Sequence, residues 1–190
     1  MRRLTYYVAS TLDGFIASPQ GAYDFFKMEP DYLDAIAAEY PETLPASYRA
    51  FRGLSGPGQH FDTVLEGRNT YQVGLDAGVT NAYPHLEHYV FSRTLTQSPD
   101  PKVTISTTPL ATVRELKARE GRGIWLCGGG ALAAELRPEI DAYVIKLNPV
   151  IVGSGIKLVD TGFSPQRLQL TGARTLASGV VFLNYVRQPA

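Results

Sequence analysis

Ile124-Trp125-Leu126-Cys127-Gly128-Gly129-Gly130-Ala131-Leu132-Ala133-Ala134-Glu135-Leu136 is the stretch on which the reading of this chain turns. Four apolar residues read as a buried strand. Three glycines end it, and Leu132 and Leu136, one turn apart, open a helical pattern. A strand that feeds a helix through glycines leaves bare backbone N–H groups at a positively polarised helix end, which is a place for a phosphate. A Cβ there would hold a pyrophosphate off the backbone. The spacing is not G-x-G-x-x-G. A glycine triplet also serves as a plain turn, so this stretch by itself leaves both readings open.

Working outward, the same strand-then-helix rhythm recurs. Leu4 to Ser10 reads as a first strand and Asp13-Gly14 as a tight turn. Residues 18–28 form a loop rich in aromatics. A helix is predicted from Pro30 to before Pro41, with Leu33, Ile36, Ala37 and Tyr40 on one face. Residues 41–60 are rich in Pro and Gly, with a short helical piece around Ser47 to Leu54. Thr63-Val64-Leu65 reads as a strand that Gly67-Arg68-Asn69-Thr70-Tyr71 turns into a helix, followed by loop from Gly74 to Pro84. His88 to Phe91 and Val103 to Ile105 read as strands. A helix has Thr108 as N-cap, Pro109 first, Leu110, Val113 and Leu116 as its apolar face, and Gly121 as its stop. After the central helix the pattern changes. Ala142 to Val152 is strand-like, Gly153-Ser154-Gly155 turns the chain, and Arg167–Leu176 with Gly179–Val186 alternate as a terminal hairpin. This predicts an α/β fold, one domain over residues 1–190, with a mostly parallel central sheet and antiparallel C-terminal strands.

Composition narrows the function. Lys+Arg and Asp+Glu both number 18, so the net charge is zero and a nucleic-acid partner loses weight. The single cysteine, Cys127, excludes an internal disulfide framework and fits a reducing, cytoplasmic setting. No apolar run approaches a membrane span. Three histidines without a cysteine or carboxylate pattern make a poor metal case, and none is expected.

In an open α/β sheet, ligands bind beyond the carboxyl ends of the strands. Three such ends here suit anions. At Gly67-Arg68-Asn69-Thr70 a glycine lets the backbone close in, Arg68 offers a fork of donors and Thr70 a hydroxyl. Ser92-Arg93-Thr94 sets a hydroxyl beside a guanidinium, which suits the 2′-phosphate that separates NADP from NAD. The glycine triplet is the third. A turn or a solvated loop accounts for any one of them; a dinucleotide accounts for all three together.

These motifs, with Asn148-Pro149-Val150-Ile151-Val152-Gly153-Ser154-Gly155 and the opening Ser10-Thr11-Leu12-Asp13-Gly14-Phe15-Ile16-Ala17, resemble the dihydrofolate reductase-like family. They look most like the branch that contains the reductase domain of riboflavin biosynthesis. The resemblance runs along nearly the whole chain. It implies a three-layer α/β/α fold, hydride transfer from NADPH to a small heterocyclic or sugar-pyrimidine substrate, and a homodimer. It implies that Gly67, Arg68 and Thr70 contact the pyrophosphate side, that Ser92, Arg93 and Thr94 hold the 2′-phosphate, and that Gly128, Gly129 and Gly130 pass under the pyrophosphate. A non-catalytic or regulatory nucleotide-binding dimer of the same fold is the competing reading.

Dihydrofolate reductase proper has a Pro-Trp after its first strand and an acid on the next helix. Here Tyr23-Asp24-Phe25-Phe26 stands in the loop. Glu29 falls on the helical face of Leu33, Ile36 and Tyr40, Asp34 on the flank, and Asp31 faces away. Glu29 and Asp34 are the candidate catalytic acids, with helix-start charge as the plainer account. Asp13, Phe25 and Phe26 are candidates for the substrate pocket; the two rings fit a packed loop equally well. Glu66, a carboxylate in an apolar strand, reads either as a lip of the site or as a partner for Arg68.

Overall fold

The computed structural model describes residues 1–188. In chain order the strands are β1 (Leu4–Ser10), β2 (Phe15–Ala17), β3 (Phe61–Gly67), β4 (Glu87–Phe91), β5 (Val103–Ser106), β6 (Gly123–Gly128), β7 (Ala142–Leu147), β8 (Ile156–Lys157), β9 (Leu168–Thr175) and β10 (Val181–Arg187). The helices are α1 (Pro30–Glu39), α2 (Ala46–Phe51), α3 (Arg68–Asp76), α4 (Pro109–Ala118) and α5 (Gly130–Leu136). An eight-stranded sheet has the order β5-β4-β3-β6-β1-β7-β10-β9. Strands β5 through β7 are parallel, and β10 and β9 close the edge antiparallel. No helix among the described residues is long and apolar enough to cross a membrane.

Alternation along each strand sends successive residues to opposite faces. Tyr6 and Val8 of β1, Ile124 and Leu126 of β6, and Tyr143 and Ile145 of β7 form one core with Val113 and Leu116 of α4 and Leu132, Ala133 and Leu136 of α5. Tyr7, Trp125, Val64, Val144 and Phe182 face the other way, onto Tyr32, Ala35 and Ile36 of α1. Val90 and Val103 pack on Tyr71 and Leu75 of α3. The sheet therefore lies between two helical layers, and both faces of its central strands are buried.

Several sequence expectations need correction. The face of α1 is rotated: Tyr32, Ala35 and Ile36 are buried, whereas Leu33 and Ala37 are only half-buried. Helix α3 continues to Asp76 into the expected loop, and α4 stops at Ala118, before Gly121. Thr108 makes no side-chain cap. Strand β7 ends at Leu147; beyond it the Asn148 side chain turns back to the Lys146 carbonyl (2.8 Å), and Pro149 has no N–H to continue a ladder. Strands β2 and β8 pair with each other as a separate two-stranded sheet that the sequence reading did not anticipate.

Candidate active site

The three anion-suited strand ends belong to β4, β3 and β6, which are consecutive in the sheet. Gly67 pairs with Phe91, so Arg68 and Ser92 leave the sheet side by side. A Cβ on Gly67 would lie 3.6 Å from both the Gly128 carbonyl oxygen and the Gly129 nitrogen. Thr70, in the first turn of α3, holds its hydroxyl 3.7 and 3.8 Å from where side chains on Gly128 and Gly129 would begin. A hydroxyl at one helix start thus faces bare backbone at another, the pairing of groups that suits an oxyanion. The Gly128–Gly129 peptide is cis.

Gly130 has a different task. A Cβ there would sit 2.1 Å from the Lys157 carbonyl oxygen. Its missing side chain lets α5 start against β8, and Gly130 is buried. Gly130 is also the first residue of α5, so the expectation that it passes under a pyrophosphate with Gly128 and Gly129 stands beside this packing role. Ser92 is also more occupied than the sequence suggests. It is buried, and its Oγ accepts N–H bonds from Thr94 (3.1 Å) and Leu95 (2.8 Å), so it braces the loop. Arg93 and Thr94 are exposed, and Arg93 has no ion-pair partner among the described residues. Arg68 is half-buried and donates to Gln72.

Beside these ends three side chains of the central strands are incompletely covered, and this shallow hollow was missed by the sequence reading. Ala9, Cys127 and Lys146 are the penultimate residues of β1, β6 and β7, and all face α1. Each is part-exposed although its strand is central and its neighbours on that face are buried. The opening lies where β1 offers only a methyl group. Lys146 Nζ stands 3.9 Å over the Tyr7 ring. Burial draws its ammonium down to about 8, against a smaller upward pull from Cys127. Burial first, then the Glu66 carboxylate, pushes the Cys127 thiol up. Burial likewise raises the Tyr83 phenol. Glu66 is bound by His88, whose Nε2 lies 2.9 Å from its Oε2, and not by Arg68. Of the signals available in sequence, only the charge of Lys146 inside an apolar strand pointed here.

Glu29 and Asp34 do not enter this hollow. Asp34 is exposed and pairs with Arg52 at 2.6 Å. Glu29 is exposed at the start of α1, beside a recess of about 340 Å³ shared with Ser178. Asp31, expected to face away, accepts the Ser178 N–H at 2.8 Å and ties α1 to the β9–β10 turn. Phe25 is half-buried and Phe26 buried, their ring centroids 4.5 Å apart. They lie in residues 18–29, which connect β2, packed on one sheet face, to α1 on the other. A cavity of about 410 Å³ lies at the opposite, amino ends of the strands, among Arg2, Tyr40, His60 and Tyr185.

Asp13 is a brace. Its carboxylate accepts N–H bonds from Gly153 (2.7 Å) and Val152 (3.2 Å), joining the turn after β1 to the loop after β7. The Thr11 hydroxyl, then these two amides, hold its carboxyl below the usual carboxylate range. A depressed value means that the brace is fully engaged above the ordinary value of about 3.9 and is lost as pH falls through the lower, folded-state one. The amide resonances of Val152 and Gly153 are expected to titrate below about pH 3.9 and to stop titrating in Asp13→Asn. Titration in the ordinary carboxylate range would contradict this.

Comparison with known proteins follows the same outline. Residues 2–182 match the model of the RibD C-terminal domain. The chain is 32% identical to the uncharacterized protein YwjB of Bacillus subtilis, over 98% of each. It superposes on a Shewanella sp. PV-4 protein named for riboflavin biosynthesis with a TM-score of 0.73 at 22% identity, over 100% of both chains. For a Thermotoga maritima diaminohydroxyphosphoribosylaminopyrimidine deaminase/5-amino-6-(5-phosphoribosylamino)uracil reductase the TM-score is 0.65 at 15% identity, over 98% of this chain and 57% of that one. Dihydrofolate reductase of Enterococcus faecalis, complexed with NADP(H), gives 0.65 at 14% identity, over 98% and 97%. The fold is dihydrofolate reductase-like.

Proposed function

The chain belongs to the RibD C-terminal domain family, and on that premise we propose that it is an NADPH-dependent reductase of a small heterocyclic or sugar-pyrimidine substrate, working as a cytoplasmic homodimer. The observation that carries this reading is the adjacency of the β4, β3 and β6 ends, with the Thr70 hydroxyl facing the backbone of Gly128 and Gly129. Those groups would take the pyrophosphate, with Gly67 leaving space and Arg68 adding charge from the side. Arg93, exposed and unpaired among the described residues, would meet the 2′-phosphate on a loop that Ser92 stiffens, with Thr94 beside it. When bound, NADPH supplies the hydride. The loop 18–28, with Phe25 and Phe26, would cover the substrate and exclude water.

The test follows Trp125, buried three residues before Gly128, by fluorescence during NADPH and NADH titrations, with calorimetry alongside. Saturable NADPH binding is expected, with NADH roughly tenfold or more weaker. Arg93→Ala is expected to remove most of that difference, about 1.4 kcal/mol for each tenfold step. Equal binding of the two cofactors, or none, sinks the reading.

A further inference from the structure

The hollow beside the cofactor ends contains one free charge among the described residues, and it is positive. Lys146 Nζ makes no ion pair and no hydrogen bond there. Among the acids of the surrounding elements, Glu66 acts on the Cys127 thiol, and each of the three has a partner of its own. Glu66 is bound by His88, Asp31 by the Ser178 amide, and Asp34 by Arg52. The wall opposite, on α1, presents Tyr32, Ala35 and Ile36; its one acid that reaches the Tyr7 phenol, Glu39, pairs with Arg174 at 3.7 Å. From β6 the Cys127 thiol faces Lys146, from β1 the Tyr7 ring, and from β10 Phe182, which pairs with it in register. Tyr83 and the Glu66–His88 pair lie behind Cys127. The floor between Lys146 and Cys127 is Ala9, which pairs directly with Lys146.

A substrate that must be met as a cation, such as a protonated amino-heterocycle, finds no free counter-charge in such a hollow, the Glu66 carboxylate being held by His88. A carbonyl or imine finds a donor. We propose that Lys146 is the proton donor of the reductase, hydrogen-bonded to the oxygen or nitrogen of the double bond being reduced, and that the substrate is a neutral or anionic carbonyl or imine compound. This rests on the reductase reading above. In the balanced step the substrate carbon gains a hydride from the reduced nicotinamide, which leaves as its oxidised form. The heteroatom takes a proton from the Lys146 ammonium, and water restores that proton. An ammonium drawn down to about 8 suits the task, because a general acid works best when its pKa lies near the working pH.

Ligand-observed NMR with pyruvate, an anionic carbonyl, and 2,4-diaminopyrimidine, a basic heterocycle, tests the hollow without turnover. The wild-type chain is expected to prefer pyruvate. Lys146→Met should weaken pyruvate binding roughly tenfold or more while NADPH binding is unchanged, and Lys146→Arg should retain it. Preference for the diaminopyrimidine, or indifference of Lys146→Met, overturns the proposal while NADPH binding leaves the reductase reading intact. Failure of the wild type to bind NADPH removes that reading and this one with it. A second measurement does not depend on the variants' folding. In the reductively ¹³C-methylated wild type, one lysine signal should titrate near 8 and shift when pyruvate is added; lysines that all titrate in the ordinary range, about 10.4, would overturn the assignment.

Discussion

Gly130→Ala is expected to lower the unfolding free energy by about 3 kcal/mol, read as a fall in the urea midpoint at unchanged slope. The new methyl group would lie 2.1 Å from the Lys157 carbonyl oxygen. That neighbour is backbone, held in β8 by its pairing with β2, so it cannot swing aside as a side chain would. The control is one residue away. Gly129 has φ −97° and ψ −169°, a conformation open to any L-residue, and its nearest neighbour is the Thr70 hydroxyl at 3.8 Å. Gly129→Ala should leave stability within about 0.5 kcal/mol and instead weaken NADPH binding. If both variants lost stability alike, the division of labour between the two glycines would be wrong. If Gly129→Ala bound NADPH as the parent does, the cofactor site would lie elsewhere.

His88→Ala should destabilise by about 3–5 kcal/mol. His88 is 1% exposed and Glu66 5%. Their contact is 2.9 Å, and His88 Nδ1 lies 3.1 Å from Asn81 Oδ1. Deleting the ring opens a cavity and strands a carboxylate in the interior, where an unpartnered charge is far costlier than an absent pair. The double change Glu66→Leu with His88→Leu should therefore cost clearly less than His88→Ala alone. Additive single-variant effects in a double-mutant cycle would show that the pair is not coupled.

These two cases mark where the sequence could be read and where it could not. The alternation of strand and helix, and the fact that Gly67, Ser92 and Gly128 stand at strand ends, follow from local periodicity and turn chemistry. What stayed hidden depends on pairing across long separations. Strand β8 has two residues and no pattern of its own; it exists because β2 and Gly130 meet it. The partner of Glu66 could not be chosen because His88 lies on the adjoining strand, and only the register of β3 with β4 brings the two together. The buried side of α1 departs from the Leu33–Ile36–Ala37–Tyr40 face because Tyr32 and Ala35 join Ile36 against the sheet, which leaves Leu33 and Ala37 at its margin. The hollow was invisible for a simpler reason. An alanine in a strand looks like core until the layer opposite fails to cover it.

The strand order has a consequence for how the chain is made. Strand β1 precedes the other described strands in the chain and is flanked by β6 and β7, pairing with Ile124–Leu126 on one side and Ala142–Leu147 on the other. Neither partner exists until most of the chain has been translated. At roughly 5–20 residues per second, Leu4-Thr5-Tyr6-Tyr7-Val8 waits on the order of ten seconds with both hydrogen-bonding edges bare. Strand β3 and its partner β4 can meet long before that, but the centre of the sheet cannot close around them. Vectorial synthesis therefore leaves an apolar, β-prone segment without its native partners until the centre of the sheet has been made.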